Sequence, residues 1–116
     1  MDSKAMAEKI SEIMDDRKAK NIEVIDTSGL TDIADYFIIC SGTSTTHVRG
    51  IADEIVKKMG ECGLKCAHLE GYDSAGWILL DYLDVVAHVF LADQREFYNL
   101  ERLWKDSAKK IRPQDA

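Results

Sequence analysis

The Ser-Gly-Thr-Ser segment at residues 41–44 has residue types that could bind a phosphate group. It follows an apolar run and precedes a helical pattern, and free N–H groups at the start of a helix hold phosphate well. The segment is neither a P-loop nor a G-x-G-x-x-G turn. A nucleotidyltransferase also needs carboxylates on adjacent strands to hold divalent metal, whereas Asp53 and Glu54 fall inside a predicted helix. A capped strand-to-helix turn is the preferred interpretation, and a nucleotidyltransferase-like or other phosphate-binding enzyme is kept as the alternative.

Other reactive side chains lack the companions that catalysis or metal binding needs. Cys62, Cys66 and His68 form at most a partial zinc site, because structural zinc sites have four ligands. Ser44 and His47 could begin a hydrolytic triad, but no G-x-S-x-G elbow is present, so His47 is predicted to be a solvated residue in a first helical turn. We therefore expect a protein that is not an enzyme and has no metal or cofactor.

The run from Trp77 to Tyr82 carries the clearest sign of a binding surface. Alternate side chains of a strand share a face, so Trp77, Leu79 and Asp81 are predicted to lie together. An apolar patch with an acidic border is typical of a protein-binding hot spot. The predicted acidic border consists of Glu70, Asp81 and Asp84. The alternative is that the last predicted helix covers Trp77 through Trp104.

The predicted elements that position this surface follow the order α-β-β-α-β-β-β-α. The predicted helices span residues 3–18 with Ser3 as the cap, residues 45–60, and a segment from Asp93 to about residue 105. The predicted strands span residues 22–27, 35–41, 64–69, 77–81 and 85–92. Helices between strands imply an α/β domain with a mixed β-sheet flanked by helices. His88 shares a strand face with Val86 and Phe90 and is expected at the edge of the core.

Length and composition predict one soluble domain that binds protein. The chain has 116 residues and is 46% hydrophobic, which fits one folded domain. No apolar run approaches the roughly 20 residues of a membrane span, and the start resembles neither a signal nor a transit peptide. The odd number of cysteines, three, indicates free thiols, so we expect a cytoplasmic protein. The net charge of −6 disfavours nucleic acid and favours a basic protein partner, although it also serves solubility.

Several separated blocks of the sequence form a recognisable pattern. One block is Asp-Tyr-Phe-Ile-Ile-Cys-Ser-Gly-Thr-Ser at residues 35–44, and another is Trp-Ile-Leu-Leu-Asp-Tyr at residues 77–82. The remaining blocks are residues 47–48, 51–52, 70–71, 84–86, 88–90 and 98–104. In this order they closely resemble the ribosomal silencing factor family, RsfS, also called Iojap-like. The likeness runs from about residue 5 to residue 105. Leu83 departs from the family pattern, because the family usually has glycine at this position. The resemblance therefore does not determine the geometry of this turn.

The resemblance implies a fold, a partner and a mechanism. The fold is nucleotidyltransferase-like without the catalytic carboxylates, with one domain at residues 1–106 and a polar tail at residues 107–116. The expected partner is protein fourteen of the large ribosomal subunit, and the bound factor would block joining of the subunits when nutrients are scarce. The residues expected to contact this partner are Trp77, Leu79, Asp81, Tyr82, Asp84 and Tyr98. A role in assembling the large subunit is the alternative function, and a homodimer through the Trp77 face also stays open.

Overall fold

A mixed five-stranded sheet dominates the computed structural model, which describes residues 1–30 and 32–94. The helices are α1 (Ser3–Asp16) and α2 (Thr45–Glu61). The strands are β1 (Lys20–Asp26), β2 (Tyr36–Gly42), β3 (His68–Glu70), β4 (Trp77–Asp81) and β5 (Val85–Leu91). The strand order is β1-β2-β5-β4-β3. Strands β2 and β5 are parallel, and the other three neighbouring pairs are antiparallel, which confirms the predicted α/β class.

Several predicted boundaries differ from the structure: α1 ends two residues earlier and β1 begins two residues earlier than predicted. Two further differences have a clear local cause. Asp2, not Ser3, caps α1, because the Oδ1 atom of Asp2 accepts the N–H of Ala5 at 2.7 Å. Strand β3 is also shorter than predicted. Gly63 has a left-handed φ of +81°, and the N–H of Leu64 donates to the carbonyl oxygen of Met59 at 2.9 Å. This motif still belongs to the end of α2, so the strand begins only at His68.

Both helices pack on the same face of the sheet. The buried side chains of each helix recur at helical spacing, which gives each helix one apolar stripe. These stripes contact alternate side chains of β2, β4 and β5. The helical residues of this core are Met6, Ala7, Ile10, Ile13, Met14, Val48, Ile51, Ala52, Ile55 and Met59. Their strand partners include Ile38, Cys40, Ile78, Leu80, Ala87 and Val89.

The opposite face of the sheet carries a second, smaller apolar cluster. Its buried members are Ile25, Ala34, Phe37, Ile39, Val86 and Phe90. Trp77 and Leu79 pack against this cluster and are partly buried. The predicted surface therefore lies on the sheet face that α1 and α2 leave uncovered. The apolar residues of the predicted last helix, at 97–104, lie outside the described residues.

Candidate protein-binding surface

Strand β4 presents its side chains to alternate faces, as the sequence predicted. Ile78 and Leu80 are fully buried beneath the helices. Trp77, Leu79 and Asp81 are each partly exposed on the other face. The structure therefore brings these three predicted contact residues together on one surface.

The indole ring of Trp77 is held by side chains of the neighbouring strand. Its N–H donates to the Nδ1 atom of His88 at 3.0 Å. The indole also stacks on Phe90, with ring centroids 5.0 Å apart and planes 23° apart. Because Trp77 lies opposite Phe90 in the β4–β5 register, and Leu79 lies opposite His88, the sheet itself sets this arrangement. A defined indole orientation limits the entropy that is lost when a partner binds.

His88 is a buried histidine, where the sequence indicated one at the edge of the core. It is only 3% exposed, and Phe37 lies against it with ring centroids 4.7 Å apart. Burial lowers the pKa of His88 to about 4, because an apolar site disfavours the charged ring. Since Nδ1 accepts the indole N–H, the ring proton lies on Nε2. That atom has no hydrogen-bond partner within the described part of the chain.

A loop tied to α2 leads the chain into Trp77. The guanidinium of Arg49 donates from Nε to the carbonyl oxygen of Tyr72 at 3.0 Å, and from Nη2 to the carbonyl oxygen of Asp73. The hydroxyl of Tyr72 donates to the carboxylate of Asp53 at 3.1 Å, which raises the pKa of Tyr72. Sequence reasoning missed Arg49, because its partners are main-chain carbonyl groups more than 20 residues away and leave no pattern in the chain.

Gly71 starts this loop with a left-handed backbone. Its φ is +80°, and a Cβ atom at this position would overlap the carbonyl oxygen of Trp77. Glycine is therefore required here both by conformation and by space. The close approach of Gly71 to Trp77 fixes where β4 begins.

The acidic border follows the strand into the β4–β5 turn. Asp84 and Glu70 are exposed, and Glu70 lies opposite Leu79 in the β3–β4 register. The Oδ1 atom of Asp81 accepts the N–H of Leu83 at 2.7 Å, so this carboxylate also shapes the turn. Leu83 has a φ of +73°, and the turn therefore keeps the left-handed geometry that glycine would favour.

Tyr82 does not join the surface around Trp77. It is only 4% exposed and packs in the core beneath the helices. Burial, and next to it the neighbouring thiol of Cys66, raise the pKa of its phenol. The physical reason is the alternation along the chain, which places Tyr82 on the same side as Leu80. The predicted contact residue Tyr98 lies outside the described residues.

The segment that could have bound phosphate is instead closed by local hydrogen bonds. Ser44 caps α2 by accepting the N–H of His47 at 3.1 Å. The His47 ring is not simply solvated: Nδ1 accepts the N–H of Thr43 at 2.9 Å, and Nε2 lies 2.8 Å from the carbonyl oxygen of Arg17. The ring therefore links the start of α2 to the end of α1. Among residues 1–30 and 32–94, no three His, Cys, Asp or Glu side chains are grouped to hold a metal.

No helix in the described ranges has both the length and the apolar character to cross a membrane.

The sequence model named "Ribosomal silencing factor during starvation" (RsfS) matches residues 1–116. The Ribosomal silencing factor RsfS of Bacillus subtilis is 42% identical over 107 residues, which cover 92% of this chain and 91% of that protein.

More distant relatives have the same fold or come from mitochondria. A crystal structure of a Chromobacterium violaceum protein superposes with a TM-score of 0.87 at 35% identity, and covers 90% of this chain and 87% of the other. A mouse protein named "Mitochondrial assembly of ribosomal large subunit protein 1" is 37% identical over 91 residues, which cover 74% of this chain and 39% of that protein. With a match over its whole length and close bacterial relatives, this chain belongs to the RsfS family of ribosomal silencing factors.

Proposed function

We propose that this protein represses translation by binding protein fourteen of the large ribosomal subunit and blocking the joining of the two subunits. The observation that carries the proposal is the surface of Trp77, Leu79 and Asp81, in which an oriented indole lies beside a partly exposed leucine and a carboxylate. Aromatic anchors of this kind dominate binding energy at protein interfaces. Membership of a family named for ribosomal silencing supports the same function.

The distribution of charge supports a basic partner. Residues 21–48 contain four acidic residues and residues 66–94 contain five, and neither stretch has a Lys or Arg. These stretches include every strand of the sheet apart from Lys20 at the start of β1. The sheet and its loops are therefore anionic, while the basic residues of the described chain lie on or next to the helices. Ribosomal proteins are typically basic, and opposite charges speed the encounter of two proteins.

The proposed mechanism needs no chemistry. Two subunits join only if their facing surfaces approach closely, and a 13.1 kDa domain bound at one of them occupies that space. Repression then depends only on the fraction of large subunits that carry the factor. The relatives are named as silencing factors, not as enzymes, which agrees with such a role.

A subunit-joining assay tests this proposal. Purified bacterial large and small subunits are mixed with the protein, and joined ribosomes are measured by sedimentation. We expect the wild-type protein to sediment with large subunits, not small ones, and to lower the joined fraction in proportion to its occupancy. The Trp77→Ala variant should show both effects only at higher protein concentration, whereas Val24→Thr, on β1 at the far edge of the sheet, should behave like the wild type. Joining that is unaffected at full occupancy would exclude the steric mechanism.

Assembly of the large subunit is a second candidate function, which the name of the mouse relative favours. It requires the same contact with the large subunit but no effect on joining. The same assay separates the two functions. Binding to mature large subunits without inhibition of joining, together with a deficit of mature large subunits in cells that lack the protein, would support assembly.

A further inference from the structure

The tip of the β4–β5 hairpin exposes a leucine in a backbone conformation that disfavours it. Leu83 has a φ of +73°, where a Cβ atom crowds the main chain and where glycine is favoured. Its side chain is 65% exposed, so packing within the described chain does not compensate for this strain. The main chain is held in place by the carboxylate of Asp81, which accepts the Leu83 N–H.

A second exposed apolar side chain lies on the adjacent loop. The carbonyl oxygen of Asp84 accepts the N–H of Asp35 at 2.7 Å, which joins the hairpin tip to the loop between β1 and β2. Ile33 on that loop is 73% exposed. Among the large apolar side chains that the structure describes, Ile33 and Leu83 have the largest exposed fractions. These two exposed apolar residues therefore lie on loops that are hydrogen-bonded to each other at one end of the sheet.

The charges around this pair are all negative along the two loops. The carboxylates that flank it in the chain are Asp32, Asp35, Asp81 and Asp84. Neither loop contains a Lys or Arg. A complementary partner would therefore present an apolar depression with a basic border. A bare polyanion such as RNA would be repelled by these carboxylates, which leaves a basic protein surface as the matching partner.

We propose that Leu83 and Ile33 form a docking knob that inserts into an apolar depression on the basic protein partner. This inference rests on the function proposed above and extends its surface. The Leu83 N–H donates to the carboxylate of Asp81, so the knob adjoins the Asp81 end of the surface of Trp77, Leu79 and Asp81. The strained backbone at Leu83 is then tolerated because its side chain contributes to binding. Glycine would fit the turn without strain but would leave the depression on the partner empty.

The decisive experiment compares folding and binding in one variant. Leu83→Gly removes the side chain and relieves the left-handed strain, so its melting temperature should equal or exceed that of the wild type. Its affinity for purified large ribosomal subunits should fall about tenfold. Ile33→Ser should weaken binding in the same way, and Val24→Thr, another exposed apolar position, should not. Leu83→Asn, which also tolerates this conformation, should bind as weakly as Leu83→Gly.

The results distinguish this inference from the function on which it rests. If wild-type protein binds large subunits and Leu83→Gly binds equally tightly, the knob is excluded while the proposed function survives. If wild-type protein does not bind large subunits at all, the proposed function fails and this inference fails with it. Binding of the Asp84→Asn variant should depend less on salt concentration than binding of the wild type, whereas binding of Leu83→Gly should keep the wild-type salt dependence. These two results together would support separate roles for the charged and the apolar side chains.

Discussion

Mild acid should destabilise this protein through one buried ring, that of His88. Its pKa is about 4 in the folded state, compared with about 6.5 in an unfolded chain. Between these two pH values the unfolded state binds a proton that the folded state does not, so stability falls as pH falls. Each pH unit in this window is worth about 1.4 kcal/mol. The contribution of His88 should therefore drop by about 2 kcal/mol between pH 7.5 and pH 5, and change little below pH 4.

Urea unfolding at several pH values measures this effect, with His88→Asn as the comparison. The asparagine Oδ1 can accept the indole N–H in place of Nδ1, and an asparagine does not titrate. Because both proteins have the same carboxylates, the effect of their titration cancels when the two unfolding free energies are compared. The difference in unfolding free energy between wild type and His88→Asn should shrink by about 2 kcal/mol from pH 7.5 to pH 5. His68→Asn, which removes the exposed histidine of β3, should follow the wild-type curve. A difference that stays constant over this range would refute a buried, neutral His88.

Three further substitutions test other contacts. Trp77→Ala should weaken binding to large subunits by about 2 kcal/mol, or roughly thirtyfold, because the indole is the proposed anchor. Sedimentation with large subunits measures this affinity, and an unchanged affinity in the folded variant would exclude Trp77 from the interface. His47→Ala should lower stability by about 1 kcal/mol in urea unfolding, because the ring loses its link to the carbonyl oxygen of Arg17 at the end of α1 and the bond that it accepts from Thr43, whereas Thr46→Ala should not. Gly71→Ala should lower stability by about 2 kcal/mol or more. Gly63→Ala is its control, because Gly63 has nearly the same φ and a Cβ atom there would meet no other side chain or main chain within 4 Å. A similar loss in both variants would show that overlap with Trp77 has no effect.

Local patterns predicted most of the elements because they depend on short-range periodicity. Alternation in β4 separated Trp77 from Ile78, and helical spacing identified both apolar stripes. The same rule of alternation would have placed Tyr82 with Leu80 in the core. Tyr82 directly follows Asp81 in the chain, but nearness in sequence is not a physical criterion for a shared face.

The sequence by itself determined the class of fold, the alternation of side chains along β4 and the acidic character of the sheet, since these follow from residue type and spacing. Only the tertiary structure decided that β5 lies between β2 and β4, because pairing of distant strands depends on how the whole core packs. That pairing places His88 under the indole of Trp77. It also brings the loop of Ile33 beside the hairpin of Leu83, since the N–H of Asp35 reaches the carbonyl oxygen of Asp84 only when β2 and β5 are neighbours.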